Sequence, residues 1–551
     1  MLITRGILTL GILSCVQTSF ANSYDDIHII VKYKQPPVAM QSLQNQIGSY
    51  AQIPVQSLQQ MAGNTYALVF SNQDIKSAIP QKDDASATII KRLQNDLNVA
   101  YAVKDRKGSF KPLPKEPEDL NPPRISHEAQ WDEFSRPGGI MLESAPGKQD
   151  GAWAYTTGLS SPPIVVAVLD TGIANHNSLT NNLLKDANGK IWGWNFAANN
   201  NDLTDETKSH HGTHVAGTIA GYGATITGMG ADLKILPIKI PCESGMFYES
   251  SVINAIRWAV GDHIPGVPDN PYPAKVLNMS FGVDEAPGKE IDHCDKALQE
   301  ALHIARQKGA VVVLAAGNDN RWEHYNAPAI CNGAIKVAST GPQGLRAYYS
   351  NYGPSIALAA PGGDLSSHNR EDGILSTVNP DGGYMGSGFN FYQGTSMASP
   401  HVAGVAGLIF AAGSSDISPQ DVEQILYTTT HEFGQSKEVN RSCIGNKPCG
   451  HGILDAENAI KAAMAQYDVL FTAPSFAVKN NANQYNIEKN DQHWIVADSP
   501  KTFFEQKNYA RVQKGQDGKI YTSQGSKSYQ LDDTKYRRCN VIGFNGIGCY
   551  R

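Results

Sequence analysis

The chain has 551 residues, 41% hydrophobic and 18% charged, enough for two or three domains and a large buried core. Its formal net charge is −6 and no long basic run interrupts that balance, so the sequence offers nucleic acid no electrostatic footing. The 51 glycines and 30 prolines call for many turns and close backbone approaches.

In chain order, the opening MLITRGILTLGILSCVQTSFANS sets Arg5 before an apolar run too short to cross a bilayer, followed by the small residues Ser19 and Ala21. Residues 1–21 read as a secretory signal peptide, with a lipoprotein signal ahead of Cys15 as the alternative. No later stretch is apolar for long enough to make a membrane helix, so a secreted protein without a membrane span is expected, in the medium, at the cell surface or in the periplasm. Within 22–110, the strand-like HIIVKYK (28–34), YALVF (66–70) and VAYAVKD (99–105) surround the helix-like SATIIKRLQNDLN (86–98), which predicts a small α/β module. The Pro-rich, charged KPLPKEPEDLNPP (111–123) predicts an exposed linker open to cleavage, and 111–130 is taken as that connection.

Residues 131–467 alternate two patterns. IVVAVLD (164–170), DLKILPIKI (232–240), AKVLNMSFG (274–282) and GAVVVLAAGN (309–318) read as buried parallel strands. SSVINAIRWAV (250–260) and DKALQEALHIARQK (295–308) read as helices between them. The prediction is an α/β fold: a parallel sheet with helices on both faces, binding its ligand beyond the carboxyl ends of the strands. Residues 468–551 are polar and predict a small, β-rich C-terminal extension. Of eight cysteines, seven remain once Cys15 is removed, an odd number for an oxidising compartment. Spacing suggests Cys443–Cys449 and Cys539–Cys549 as local loops and Cys242–Cys294 as a staple between two connections.

Four motifs carry candidate chemistry. Asp170 ends a strand at the mouth of the sheet, a common position for an ordinary carboxylate too. Ser396 opens the apolar helix of GTSMASPHVAGVAGLIF (394–410), where it is either an N-cap or a nucleophile beside free N–H groups, with Pro400 in the early turns where it costs least. Asn318 ends GAVVVLAAGN, as a turn residue or as an amide aimed into the cleft. HHGTHVAG holds three histidines. His210 and His214 have i, i+4 spacing, but a zinc helix of this kind needs HExxH, and Gly212 weakens the helix between the supposed ligands.

VVAVLDTG, HGTHVAGT, NMSFG with LAAGN, and GTSMASPHVAG stand in that order across about residues 150–465, and together they resemble the subtilisin-like serine proteases, in particular the secreted bacterial branch. The resemblance implies a serine endopeptidase with Ser396 as nucleophile, His211 as general base and Asp170 as the residue that orients the imidazole. His214 is then a packed structural histidine and His210 an exposed loop residue. Asn318 and the Ser396 N–H would hold the oxyanion. Ser280, Phe281 and Gly282 would pair with the substrate backbone and wall the pocket; Ala315, Ala316 and Gly317 would form the opposite wall, and Gly245, Met246 and Phe247 a second edge. Residues 22–110 correspond to an inhibitory propeptide, making the protein a self-processing zymogen whose partners are protein or peptide substrates and its own propeptide; a monomer is expected. Catalysis needs no cofactor. A structural calcium is an expectation only: HNSL (176–179) and GYGATITG (221–228) lack one familiar site, and Asp202, Asp205 and Glu206 form an acidic loop that is the remaining candidate. Two rival classes are an inactive relative that binds peptides and a dinucleotide-binding protein, though no GxGxxG follows the first strand.

Overall fold

The computed structural model describes residues 26–464 apart from short internal stretches, which include 111–112, 284–292 and 324–327, together with the strands of the C-terminal extension. The proposed signal peptide lies outside the described residues.

Four antiparallel strands, β1 (Ile27–Tyr33), β2 (Ser57–Gln60), β3 (Thr65–Phe70) and β4 (Val99–Lys104), form a sheet in the order β2-β3-β1-β4. Helices α1 (Met40–Ala51), α2 (Asn72–Ala78) and α3 (Ala85–Leu93) accompany it. Ile29, Val31, Leu43, Ile47, Leu68, Phe70, Ile89 and Leu93 pack into a core of this module's own. The helix expected to reach residue 98 stops at Leu93, capped by Gln94. Buried Asp96 explains the stop, because its carboxylate accepts from the Asn98 backbone N–H and holds a turn instead. A short strand, β5 (Lys107–Ser109), then leaves the module.

The central domain is built on seven parallel strands. They are β6 (Val165–Asp170), β8 (Trp194–Asn195), β9 (Lys234–Lys239), β11 (Val276–Met279), β13 (Val311–Ala315), β14 (Ile335–Thr340) and β15 (Leu358–Pro361), in the order β15-β14-β13-β11-β6-β9-β8. The short strands β7 (Asn175–His176), β10 (Met246–Tyr248) and β12 (Gly282–Val283) lie outside this sheet. Period-two alternation sends side chains to two separate cores. Val166, Val168 and Val276 face α4 (His211–Ala220) and α7 (Thr395–Ala412), whereas Val165, Ala167, Leu169 and Leu277 face α5 (Glu249–Ala259) and α6 (Lys296–Gln307). Each such valine or leucine removed from water contributes about 1.5–3 kcal/mol, which is why continuous apolar runs form the central strands. Helix α6 shows the complementary pattern: Asp295 caps its N-terminus, and Ala297, Leu298, Ala301, Leu302 and Ala305 make one buried stripe. Helix α7 is long and apolar enough to cross a membrane by length and composition alone, yet all 18 residues are buried inside the domain.

Cys443 bonds to Cys449. The expected Cys242–Cys294 bridge is not formed, because Cys294 bonds to Cys331. The reason is local: the Gln299 side chain, on the first turns of α6, clasps the backbone N–H and carbonyl of Asn332 and brings the adjacent Cys331 to the start of that helix. Cys242 is disulfide-bonded too. In the extension, Phe476–Lys479, Tyr485–Lys489 and Gln492–Val496 form one antiparallel sheet, while Gly546–Tyr550 pairs on one side with Arg538–Ile542 and on the other with Val469–Thr472. Cys539 and Cys549 are backbone partners there; a bond between their side chains lies outside the described residues.

Candidate active site

Register puts the key residues at one edge. Leu169 is level with Met279, and Met279 with Leu314. Asp170, Ser280 and Ala315 therefore follow one another across three neighbouring strands at their carboxyl ends, spaced by about 4.8 Å per strand.

Asp170 is fully buried. His211 opens α4, and Gly212 lets that helix approach: a Cβ there would lie 2.3 Å from the Gly172 carbonyl oxygen and 3.1 Å from the Asp170 Cβ. The His211 Nδ1 sits 2.8 Å from Asp170 Oδ1, which also accepts from the Thr171 N–H at 2.7 Å. A carboxylate only accepts, so Nδ1 carries the proton and Nε2 keeps its lone pair. Burial works against the imidazolium, but the charge and hydrogen bond of Asp170 outweigh it, and the His211 pKa lies above the ordinary histidine value.

Asp205 fastens this pair from behind. Its Oδ1 accepts from the Thr171 and Thr207 hydroxyls at 2.9 and 2.8 Å, and its Oδ2 from the N–H and hydroxyl of Thr213 at 3.2 and 3.0 Å. The Asp205 carboxylate thereby ties α4 to the end of β6. Asp202 accepts from Thr204, and Glu206 pairs with Lys239 at 3.3 Å, so the other two acids also have protein partners. His214 is packed inside: its Nε2 donates to the carbonyls of Ile374 and Asn390, both at 3.1 Å, its ring stacks on Tyr392, and burial pushes its pKa down to about 3. His210 is half-buried, not exposed; it sits at the N-cap of α4 with left-handed backbone, φ 46°. No three or more His, Cys, Asp or Glu side chains are grouped for a metal among the described residues.

Ser396 is the second residue of α7, and the N-cap is Gly394, at φ 152°, a conformation that favours glycine. Pro400 falls in the second turn. It has no N–H to give to the Ser396 carbonyl, and that carbonyl accepts instead from the Ser280 hydroxyl at 3.0 Å. Asn278 donates to the Ser280 hydroxyl and accepts from Ser399, so the end of β11 is tied to the start of α7 by side chains. The Ser396 hydroxyl donates to the Ser280 carbonyl at 3.1 Å.

Asn318 is oriented by Thr395, whose N–H and hydroxyl donate to its Oδ1 at 2.8 and 2.9 Å. The backbone N–H can meet only an oxygen, so the amide cannot flip, and the two donors of Nδ2 are left for the cleft. Gly317 donates to the Thr395 hydroxyl, and the Ala316 carbonyl accepts from Asn351. The sequence does not mark Asp205, Asn278 and Thr395 for these supporting roles, although Asn278 lies inside the NMSFG motif and Thr395 beside Ser396.

The cleft is filled by the chain itself. Strand β5 pairs antiparallel with both edges: Ser109, Gly108 and Lys107 with Met246, Phe247 and Tyr248, and Ser109 and Gly108 with Gly282 and Val283. The Phe110 N–H continues this to the Gly245 carbonyl at 3.0 Å. Its ring contacts His211, Phe247 and Phe281 at centroid distances of 5.8, 5.8 and 5.1 Å.

Residues 162–452 match the subtilase family, and the chain belongs to it. It is a subtilisin-like serine endopeptidase. It is 28% identical to an extracellular basic protease of Dichelobacter nodosus over 80% of this chain and 71% of that one. It is 35% identical to an extracellular protease of Xanthomonas campestris over 57% of this chain and 53% of that one. Among solved structures, a protease from Pseudoalteromonas arctica is 38% identical, covering 63% of this chain and 100% of its own, with a TM-score of 0.52.

Proposed function

We propose that the protein is a secreted serine endopeptidase made as a self-processing zymogen. Ser396 is its nucleophile, His211 its general base and Asp170 the residue that orients and stabilises the imidazolium. The Ser396 hydroxyl turns from the Ser280 carbonyl to the free Nε2 of His211, gives up its proton and attacks the peptide carbonyl. His211 returns the proton to the leaving amine, and water then hydrolyses the acyl-enzyme by the same route. The Asn318 Nδ2 and the Ser396 N–H receive the charge that develops on the carbonyl oxygen. All of these groups come from the chain, and no catalytic cofactor is required.

One observation carries the zymogen reading. Residues 107–110 lie as a strand between β10 and β12, with Phe110 against His211, as an extended peptide substrate would. The preceding module, 27–104, holds that strand in place. We infer that it acts as an intramolecular inhibitor removed by cleavage in the 111–130 connection. A fluorophosphonate probe and gel mobility test both halves of the reading. Wild-type protein should label at Ser396 and shorten from its N-terminal side, and Ser396→Ala should do neither. Labelling that persists in Ser396→Ala would refute the assignment of the nucleophile.

A further inference from the structure

Past Ser396, on the side of the leaving peptide, the chain continues over the catalytic domain as residues 113–124. Leu113 packs half-buried against the main core. Pro114 lies beside Gly394, its Cδ 3.6 Å from where a Cβ on that glycine would stand. The Gln393 amide reaches the carbonyls of Pro114 and Lys115 at 3.4 and 3.3 Å, and the Tyr348 hydroxyl donates to the Lys115 carbonyl at 2.9 Å. These contacts read backbone, not side-chain identity. Beyond them the recognition becomes ionic. Arg370 pairs with Glu116 at 3.4 Å and His368 with Asp119 at 2.5 Å. The Arg370 N–H also donates to the Asn121 side chain at 2.8 Å.

We propose that this surface is a leaving-side recognition site, formed by Gln393 and Tyr348 for backbone and by Arg370 and His368 for acidic side chains. It directs the mature enzyme to peptides that are acidic several residues beyond the cleaved bond. The linker that occupies it here, LPKEPED (113–119), is the template: an apolar residue beside the nucleophile helix, then carboxylates against Arg370 and His368. Once that linker leaves, the Arg370 guanidinium and the Gln393 and Tyr348 donors lose the partners that the linker gives them and can receive another extended chain. The inference rests on the proposed role of Ser396, because that role defines which side is the leaving side.

The test uses mature enzyme and two internally quenched peptides with the same upstream half. Their downstream halves are Leu-Pro-Lys-Glu-Pro-Glu-Asp and Leu-Pro-Lys-Lys-Pro-Lys-Lys. The acidic peptide should show a kcat/KM about two- to five-fold higher at low ionic strength, the range expected of one rim ion pair, that of Arg370. The ratio should fall toward one in about 0.5 M NaCl, where the Debye length is only a few ångströms. In Arg370→Glu the ratio should invert; because it is measured within each enzyme, a general loss of activity does not disturb it. Equal rates on both peptides, or a ratio unchanged in Arg370→Glu, overturns the inference. Cleavage of neither peptide, with no fluorophosphonate labelling at Ser396, strikes the peptidase reading instead.

Discussion

The two segments that flank Ser396 are held by opposite physics. On the upstream side, residues 105–110 enter the catalytic domain through buried contacts: Asp105 accepts from the Ser250 N–H and hydroxyl at 2.8 and 2.7 Å, and Arg106 lies between Asp295 and the carbonyl and ring of His293. Asp105, Arg106, Glu249 and Asp295 are all 7% exposed or less. On the downstream side, the carboxylate of Asp119 and the ring of His368 are 75% and 56% exposed, and the Arg124 side chain is 71% exposed. Buried charges raise the cost of any mismatch, whereas exposed pairs contribute about 0–1 kcal/mol each and fade with salt. On the proposed zymogen reading, the upstream contact is therefore a firm plug and the downstream contact a strap that salt weakens.

The largest expected effect tests whether chemistry lies between the two segments at all. Asp170→Asn should lower kcat by about 10⁴, through loss of the tautomer that leaves Nε2 free. With His211 in its proposed role as neutral base and its pKa raised, activity in the parent should climb with pH through a limb above the ordinary histidine value; that limb should move down in Asp170→Asn, as read from kcat/KM against pH. Next, Asn318→Leu should lower kcat by about 10²–10³ through loss of an oxyanion donor, with KM little changed in steady-state assays.

The buried plug should respond to pH. Burial pushes the Asp105 carboxyl up to about 7, with the nearby charge of Asp295 adding to this and the Ser250 hydrogen bonds opposing it. Burial also raises Glu249 well above the carboxylate range. The docked state thus holds a proton that a released, solvated carboxylate gives up. Docking is at full strength below the free value of about 4 and weakens as pH rises from there toward the docked value. After processing, activity should appear faster at alkaline than at acidic pH, and Asp105→Asn should remove much of that difference. Equal activation rates at both pH values in the parent would show that this plug does not sense protons.

The smallest effect belongs to the strap. Glu116→Ala with Asp119→Ala should speed proteolytic cutting of the 113–124 segment by an outside protease about two- to five-fold at low salt, since each exposed pair contributes so little. In high salt the variant and parent should converge, whereas docking of the upstream plug should hardly respond.

Much of the site was legible in the sequence because its motifs are local. VVAVLDTG places a carboxylate at the end of an apolar strand, and HGTHVAG places an imidazole at the start of a helix beside a glycine small enough for close approach. The parallel sheet followed from apolar runs alternating with amphipathic helices, since two-faced burial leaves that pattern in composition alone. What was not legible depends on distant pairing. In the sequence Asp205 is one of three acids in a loop that could take calcium, yet its four hydrogen bonds come from Thr171, Thr207 and Thr213, brought around it only by the fold. Cys294 chose Cys331 over Cys242 because Gln299 positions a backbone turn, an effect that spacing between cysteines does not encode.

The sequence by itself determined the elements and the kinds of chemical group at their ends, because helix and strand periodicity and reactive side chains are properties of neighbours along the chain. Tertiary structure alone decided which acid orients which helix, which cysteines bond, and that the chain's own residues 107–110 and 113–124 lie on either side of the nucleophile. Those outcomes depend on packing between residues tens or hundreds of positions apart, where shape and desolvation select the partner.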